Sequence, residues 1–320
     1  MNAQDPSNNG ADYAVYPLPV PERALQYTQS VLSGAIPNES ELTAGVRIRP
    51  GTDYGFFTDT SLCIGCKSCE VACKEWNLLP ADNFGMTGMS YDNTAALSAT
   101  TWRHVAFIEQ IDDRNGRRAT VMQPFQSNWL MLSDVCKHCD RAGCLEACPT
   151  GALFRTEYGS VVVQPDICNG CGYCVPSCPF GVVALDDVDG KAHKCTLCYD
   201  RMKDSFEPAC AKACPTNAIQ FGEVRELQDR ARRRLDELHR RGVDNAQLYG
   251  LPGEPGSTGE IEYLHAMFLL LAPPEVYNLP RAPVLPAARL RTGLRNGVLT
   301  MAALGVAAAF AFISGRFLNE

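Results

Sequence analysis

Sixteen cysteines fall into four groups of four along the 320-residue chain, with none left over. The first group is Cys63, Cys66, Cys69 and Cys73, spaced C-x2-C-x2-C-x3-C. The third, Cys168, Cys171, Cys174 and Cys178, repeats that spacing and adds Pro179. In the second, Cys136, Cys139, Cys144 and Cys148 with Pro149, the middle gap widens to four residues; in the last, Cys195, Cys198, Cys210 and Cys214 with Pro215, it widens to eleven. Every group opens with C-x2-C and closes with C-x3-C. Thiolates three residues apart on a tight loop can wrap one face of a cubane, and the fourth cysteine of such a run can ligate a neighbouring cluster, so two runs build two [4Fe–4S] clusters reciprocally. Sixteen thiolates therefore predict four [4Fe–4S] clusters.

Two other chemistries use cysteine in number. Disulfides belong mainly to small exported domains short of core. This chain is not small, and its first residues show neither a basic segment ahead of an apolar stretch nor a twin-arginine pair, so nothing there addresses it for export. Zinc also takes C-x2-C pairs, and the last group alone could be read as a zinc site, which keeps a zinc-binding scaffold module as the alternative from a different class. Four thiolates within eleven residues, as in the first and third groups, suit one tetrahedral ion poorly.

The elements that position these thiols repeat as well. A short apolar segment follows each closing proline, at 150–154 (TGALF), 180–185 (FGVVAL) and 216–221 (TNAIQF), and each is predicted as a strand. Loop, short helix and strand in succession is the ferredoxin pattern. The prediction is an α+β fold of two ferredoxin-like units, each holding two clusters, with pseudo-twofold symmetry. After Cys73 the pattern departs, with Lys74, Glu75, Trp76 and Asn77 in place of a proline and strand.

Beyond the thiols, residues 223–241 carry Val224, Leu227, Ala231, Leu235 and Leu238 at helical spacing, with the arginines read as a solvated face. Residues 261–271 (IEYLHAMFLLL) are too short to cross a membrane and read as core or interface. The stretch at 80–101 has no period and reads as a surface loop. Asn296 to Gly315 carry no charge and are long enough as a helix to span a bilayer. The division predicted is an arm at 1–52, the double ferredoxin-like domain at 53–222, a helix and extended region at 223–290, and a membrane anchor with a short tail at 291–320. A net charge of −7 leaves no basic footprint, so nucleic acid is not an expected partner. His138 and His193 adjoin thiol groups that already supply four ligands each, so neither is expected to ligate. Lys67, Lys137 and Lys194 stand beside cysteines and are candidates for raising a cluster's potential. No nucleophile elbow, Walker loop or dinucleotide fingerprint stands out, and bond chemistry by this chain itself is not expected.

The runs CIGCKSCEVACKEWN at 63–77, CKHCDRAGCLEACPTGAL at 136–153, CNGCGYCVPSCPFGV at 168–182, and HKCTLCYDRM followed by EPACAKACPTNAIQFG closely resemble the iron–sulfur (β) subunit of respiratory formate dehydrogenases. The likeness continues through RRGVDNAQLYG at 240–250, PPEVYNLP at 273–280 and the C-terminal apolar helix. The cysteine motifs alone are also similar to the electron-transfer subunits of dimethyl sulfoxide, polysulfide and nitrate reductases and of membrane hydrogenases. The resemblance implies a relay of electrons from a Mo- or W-bis-pterin catalytic subunit toward a membrane cytochrome b, with the lipid bilayer as a further partner. It also implies a ligand exchange: Cys63, Cys66, Cys69 and Cys214 on one cluster; Cys195, Cys198, Cys210 and Cys73 on its neighbour; Cys136, Cys139, Cys144 and Cys178 on a third; Cys168, Cys171, Cys174 and Cys148 on the fourth. For orientation it implies the outer face, reached by export folded with a signal-bearing catalytic partner. The arginines point the other way, since Arg281, Arg289, Arg291 and Arg295 precede the apolar helix and Arg316 follows it.

Overall fold

The computed structural model describes residues 48–317 apart from 82–84, 86–87, 89–90, 93, 110–128 and 259. Most of the predicted N-terminal arm therefore lies outside the described residues. The described residues belong to one unit.

A four-stranded sheet forms the base. Strand β1 (Tyr54–Asp59) is followed by helix α1 (Ser68–Asn77), the hairpin β2 (Arg103–Glu109) and β3 (Trp129–Val135), and helix α2 (Gly143–Glu146). The hairpin β4 (Leu153–Arg155) and β5 (Val161–Val163), helix α3 (Cys174–Ser177), and the hairpin β6 (Ala184–Leu185) and β7 (Ala192–His193) come next. Helices α4 (Tyr199–Lys203) and α5 (Ala209–Lys212) lead into β8 (Ile219–Glu223), α6 (Val224–Arg240), β9 (Gln247–Tyr249), β10 (Ala266–Leu270), a 3-10 turn at Pro274–Tyr277, and α7 (Pro286–Phe317). The sheet order is β8-β1-β10-β9, with β1 parallel to β10 and the outer pairs antiparallel.

Strand alternation divides this sheet between two cores. Phe56, Ala266, Phe268 and Leu270 face the thiol-bearing side. Phe57, Met267 and Leu269 face α6 with Val224, Leu227, Ala231 and Leu238. The segment at 261–271 is thus core, supplying β10. The amphipathic helix forms as its period predicts, but one of its arginines is not solvated: Arg234 is buried and its Nε donates to Asp59 Oδ2 at 2.8 Å. The stretch at 80–101 is also less free than its composition implies, because Asp92 is buried and lies 2.5 Å from His104 Nε2 and 3.3 Å from Lys67 Nζ.

The three strands predicted after the prolines begin later than predicted, at Leu153, Ala184 and Ile219. The cause is a turn that sequence periodicity hides. Gly151 (φ 70°), Gly181 (φ 64°) and Asn217 (φ 53°) each stand third after a closing cysteine in the left-handed region. The amides of Gly181 and Asn217 donate to the carbonyls of Cys178 and Cys214 at 3.3 and 3.2 Å. Glycine and asparagine are the residues that adopt this conformation at least cost.

Helix α7 begins beside the thiol-bearing region, with Leu285 against Gly143 of α2. Gly293–Ala311 is apolar enough to cross a membrane, is exposed along its length and spans about 28 Å. A soluble core helix of that composition would be buried, and this one is not; it is compatible with membrane association.

Candidate metal centres

All sixteen cysteines are free thiols. Their loops share one backbone device. The residue just before the second cysteine of each C-x2-C is left-handed: Gly65 (φ 67°), His138 (φ 43°), Gly170 (φ 71°) and Leu197 (φ 60°). Two of these are not glycine, and holding a side chain there costs roughly 1–2 kcal/mol. The turn directs an amide at the first sulfur of the pair, as where Leu197 N–H donates to Cys195 Sγ at 3.3 Å. Cysteine spacing does not disclose this device; glycine at two of four equivalent positions was the available signal.

Packing brings the thiols together across the groups. Cys136, Cys139 and Cys144 line a cavity of about 320 Å³, partly open to solvent, with Cys178, the last cysteine of the third group. Cys168, Cys171 and Cys174 line another, of about 300 Å³, with Cys148, the last of the second. Helices α2 and α3 make this exchange by direct packing. Gly143 is required between them, because a Cβ there would lie 2.5 Å from the Ser177 carbonyl oxygen. In the other half α1 packs on α5. Cys63 there has Cys214 and Cys66 as neighbouring thiols, and Cys73 has Cys195, Cys210 and Cys198.

Neighbours between the sets arrange them in series. Cys69 adjoins Cys210, Cys195 adjoins Cys136, and Cys144 adjoins Cys174. Cys66 and Cys171 are the exposed cysteines, one in the first set and one in the last. The eleven-residue gap of the fourth group is accounted for by α4, whose Asp200 accepts from Trp76 Nε1 at 2.7 Å and whose Arg201 lies 4.2 Å over the Trp76 ring. Trp76 thus fastens α1 to α4.

Burial dominates the thiol chemistry. It pushes Cys69, Cys144 and Cys195 up to about 12 and Cys174 to about 11, and it raises Cys139, Cys210, Cys73 and Cys198 as well. Cys148 goes the other way: against its slight burial, the amides of Leu153, Thr150 and Ala152 and the Thr150 hydroxyl hold it below the ordinary thiol value. Four thiolates cannot share one apolar hole without a compensating cation, and a metal that binds them must displace their protons. Other buried groups fit such an occupant. His138 Nε2, Asn217 Nδ2, and Arg103 Nε and Nη2 are buried donors with no hydrogen-bond partner among the described residues. His138 lines a thiol cavity, Asn217 follows Cys214 by three residues, and Arg103 lies among sulfurs. A fifth orphan, Thr58 Oγ1, is on β1. Donors left unpaired beside converging thiols are what an acceptor-rich iron–sulfur cluster would satisfy.

The lysines differ from one another. Lys67 is paired with Glu70 and Asp92, and Lys137 with Asp134. Lys194 is buried beside Cys136, Cys144 and Cys195, and its Nζ donates to the carbonyl oxygens of Val161 and Cys195. His138 Nδ1 accepts from Val161 N–H at 3.1 Å and His193 Nε2 lies 2.9 Å from Asp189.

Comparison with known proteins gives the same chemistry. Two family profiles, each described as a 4Fe-4S dicluster domain, match residues 62–152 and 127–224. The nitrate-inducible formate dehydrogenase iron–sulfur subunit of Escherichia coli is 40% identical over 266 residues, 82% of this chain and 83% of its own. The formate dehydrogenase iron–sulfur subunit of Haemophilus influenzae is 41% identical over 229 residues, 70% and 68% of the two chains. A subunit of the anaerobic dimethyl sulfoxide reductase of Escherichia coli is 34% identical over 177 residues, 55% of this chain and 77% of its own.

Proposed function

The chain belongs to the family of formate dehydrogenase iron–sulfur subunits, an electron-transfer family, and from that premise we propose that it carries four [4Fe–4S] clusters in series between a pterin catalytic subunit and a membrane cytochrome b. The observation that carries the reading is the convergence of sixteen free thiols with buried, unpaired donors. When bound, each cluster supplies a one-electron carrier. The holders in this proposal are Cys63, Cys66, Cys69 and Cys214; Cys73, Cys195, Cys198 and Cys210; Cys136, Cys139, Cys144 and Cys178; and Cys148, Cys168, Cys171 and Cys174. The lining of the two cavities and the thiol neighbours of Cys63 and Cys73 support these sets.

The protein's part is to hold, insulate and order. The cysteines in the middle of the series are mostly buried, while Cys66 and Cys171 leave its two ends accessible. Helix α7 departs next to Cys144, in the third set, which supports a membrane partner at that half and the catalytic subunit at the Cys66 end. The cluster region belongs on the outer face in this proposal, as family resemblance implies, against the arginine count; protease protection of a tag placed after Glu320 in intact cells decides it. Relatives from formate dehydrogenases cover far more of the chain than the dimethyl sulfoxide reductase subunit does, which supports formate as the donor's substrate.

The test is elemental and functional. Anaerobically purified protein is expected to contain about sixteen iron and sixteen acid-labile sulfide atoms per chain. Formate-dependent quinone reduction by the co-purified complex follows. Far less iron, zinc in its place, or a co-purifying nickel subunit would each sink the reading.

A further inference from the structure

Arg103, the first residue of β2, is 1% exposed. Its guanidinium cannot lose its proton, so the charge is permanent. A buried charge is tolerated when it meets an opposite charge or a full set of acceptors. Among the described residues, Arg103 has neither. Nη1 donates to Ser133 Oγ at 3.0 Å, Nε and Nη2 make no hydrogen bond of good geometry among the described residues although the guanidinium side chain reaches the Cys210 sulfur, and one face rests 4.7 Å from the centre of the Phe56 ring. No carboxylate comes within ion-pair distance of it among those residues.

What surrounds it is sulfur. Cys69, Cys73, Cys195 and Cys210 are the groups whose negative charge would favour the guanidinium against its burial. Ser133 Oγ, which holds Nη1, is itself 3.3 Å from Cys69 Sγ. Cys69 belongs to the first thiol set, and the other three belong to the second. A cation with no carboxylate counter-charge among the described residues therefore stands between two sites that are each negative when loaded.

We propose that Arg103 is the shared counter-charge of the two clusters nearest the Cys66 end and sets their redox potentials; the inference rests on the cluster assignment above. Reduction there adds one electron from the upstream donor and makes or breaks no bond. A fixed positive charge beside both sites stabilises the added negative charge and raises both potentials together. Electrons arriving at that end are thus drawn into this pair. Lys194, beside Cys136, Cys144 and Cys195, is untouched by substitution at Arg103 and leaves the remaining pair as an internal control.

The experiment compares the full chain with R103M, R103Q and R103K, each purified anaerobically, by iron count and by potentiometric titration followed by electron paramagnetic resonance. In R103M and R103Q the reduced-to-oxidised ratio of two clusters at a fixed potential is expected to fall at least tenfold, about 59 mV downward for a one-electron couple. The other two shift by far less, and R103K restores most of the loss. Neutral variants with full iron and unmoved potentials would overturn the proposal, as would R103K shifting as far as R103M. Should the neutral variants lose iron, full iron in R103K supports the charge and its loss there refutes it. Low iron in the unsubstituted chain is instead the failure of the cluster assignment itself.

Discussion

Gly170→Ala is expected to remove one cluster of the four. Gly170 precedes Cys171 in a left-handed conformation, φ 71°. A Cβ at that position would lie 2.3 Å from the carbonyl oxygen of Gly190. Two costs add: roughly 1–2 kcal/mol for a side chain at this φ, and about 1–3 kcal/mol for the forced backbone displacement. The smaller unfolded-state entropy of alanine offsets about 0.4–1 kcal/mol of the sum. Relief requires moving Gly190, two residues before Ala192, whose amide donates to Cys168 Sγ at 3.5 Å. The displacement thus reaches Cys171 from one wall and Cys168 from the other. Gly242→Ala isolates the conformational cost, since Gly242 has φ 82° and nothing within 4 Å of the added Cβ. The assay is iron and sulfide content after anaerobic purification, with urea unfolding alongside. G170A is expected to hold about twelve iron atoms per chain against about sixteen for G242A. Full iron in G170A, with stability within about 0.5 kcal/mol of G242A, would refute the reasoning.

Three further outcomes follow from the packing. Arg234→Met leaves the fully buried Asp59 carboxylate without its cation and is expected to destabilise the chain by about 3–5 kcal/mol, with D59N recovering part of that in a double-mutant cycle; additive effects in the cycle would show that the pair contributes nothing. Deleting residues 296–320 should release the protein from membranes with its iron intact, and abolish formate-dependent quinone reduction while dye reduction persists; retention in the membrane pellet would contradict the anchor. Burial, only partly opposed by the hydrogen bond to the Tyr54 carbonyl, holds the His265 ring below its ordinary pKa. The unfolded chain therefore takes up that proton first, so this contribution to stability is complete above about pH 6.5 and is lost as pH falls below it. H265Q should flatten the unfolding free energy between pH 8 and 5.5 relative to the unsubstituted chain, and an unchanged slope would count against it.

Much of the site was legible because its chemistry is local. The C-x2-C openings and the cysteine–proline closings act through loops of three or four residues, which neighbouring side chains set. The period of 224–238 likewise announced α6, because a helix buries every third or fourth residue. Two things failed in sequence: short turns that periodicity alone does not show, and contacts that depend on distant partners. The post-proline strands begin late because a left-handed turn intervenes at Gly151, Gly181 and Asn217. Arg234 looked like a surface cation until β1 brought Asp59 against it.

By itself, then, the sequence determined the ligand chemistry, the number of thiols, and the loops that present them. Only the tertiary structure decided which thiols meet across groups, that β10 pairs with β1 in the middle of the sheet, and that Arg103 sits among sulfurs without a carboxylate. The physical reason is range. Backbone turns respond to the next few residues, whereas burial and charge compensation respond to whatever the whole chain brings within a few ångströms, and no spacing along the sequence encodes that distance.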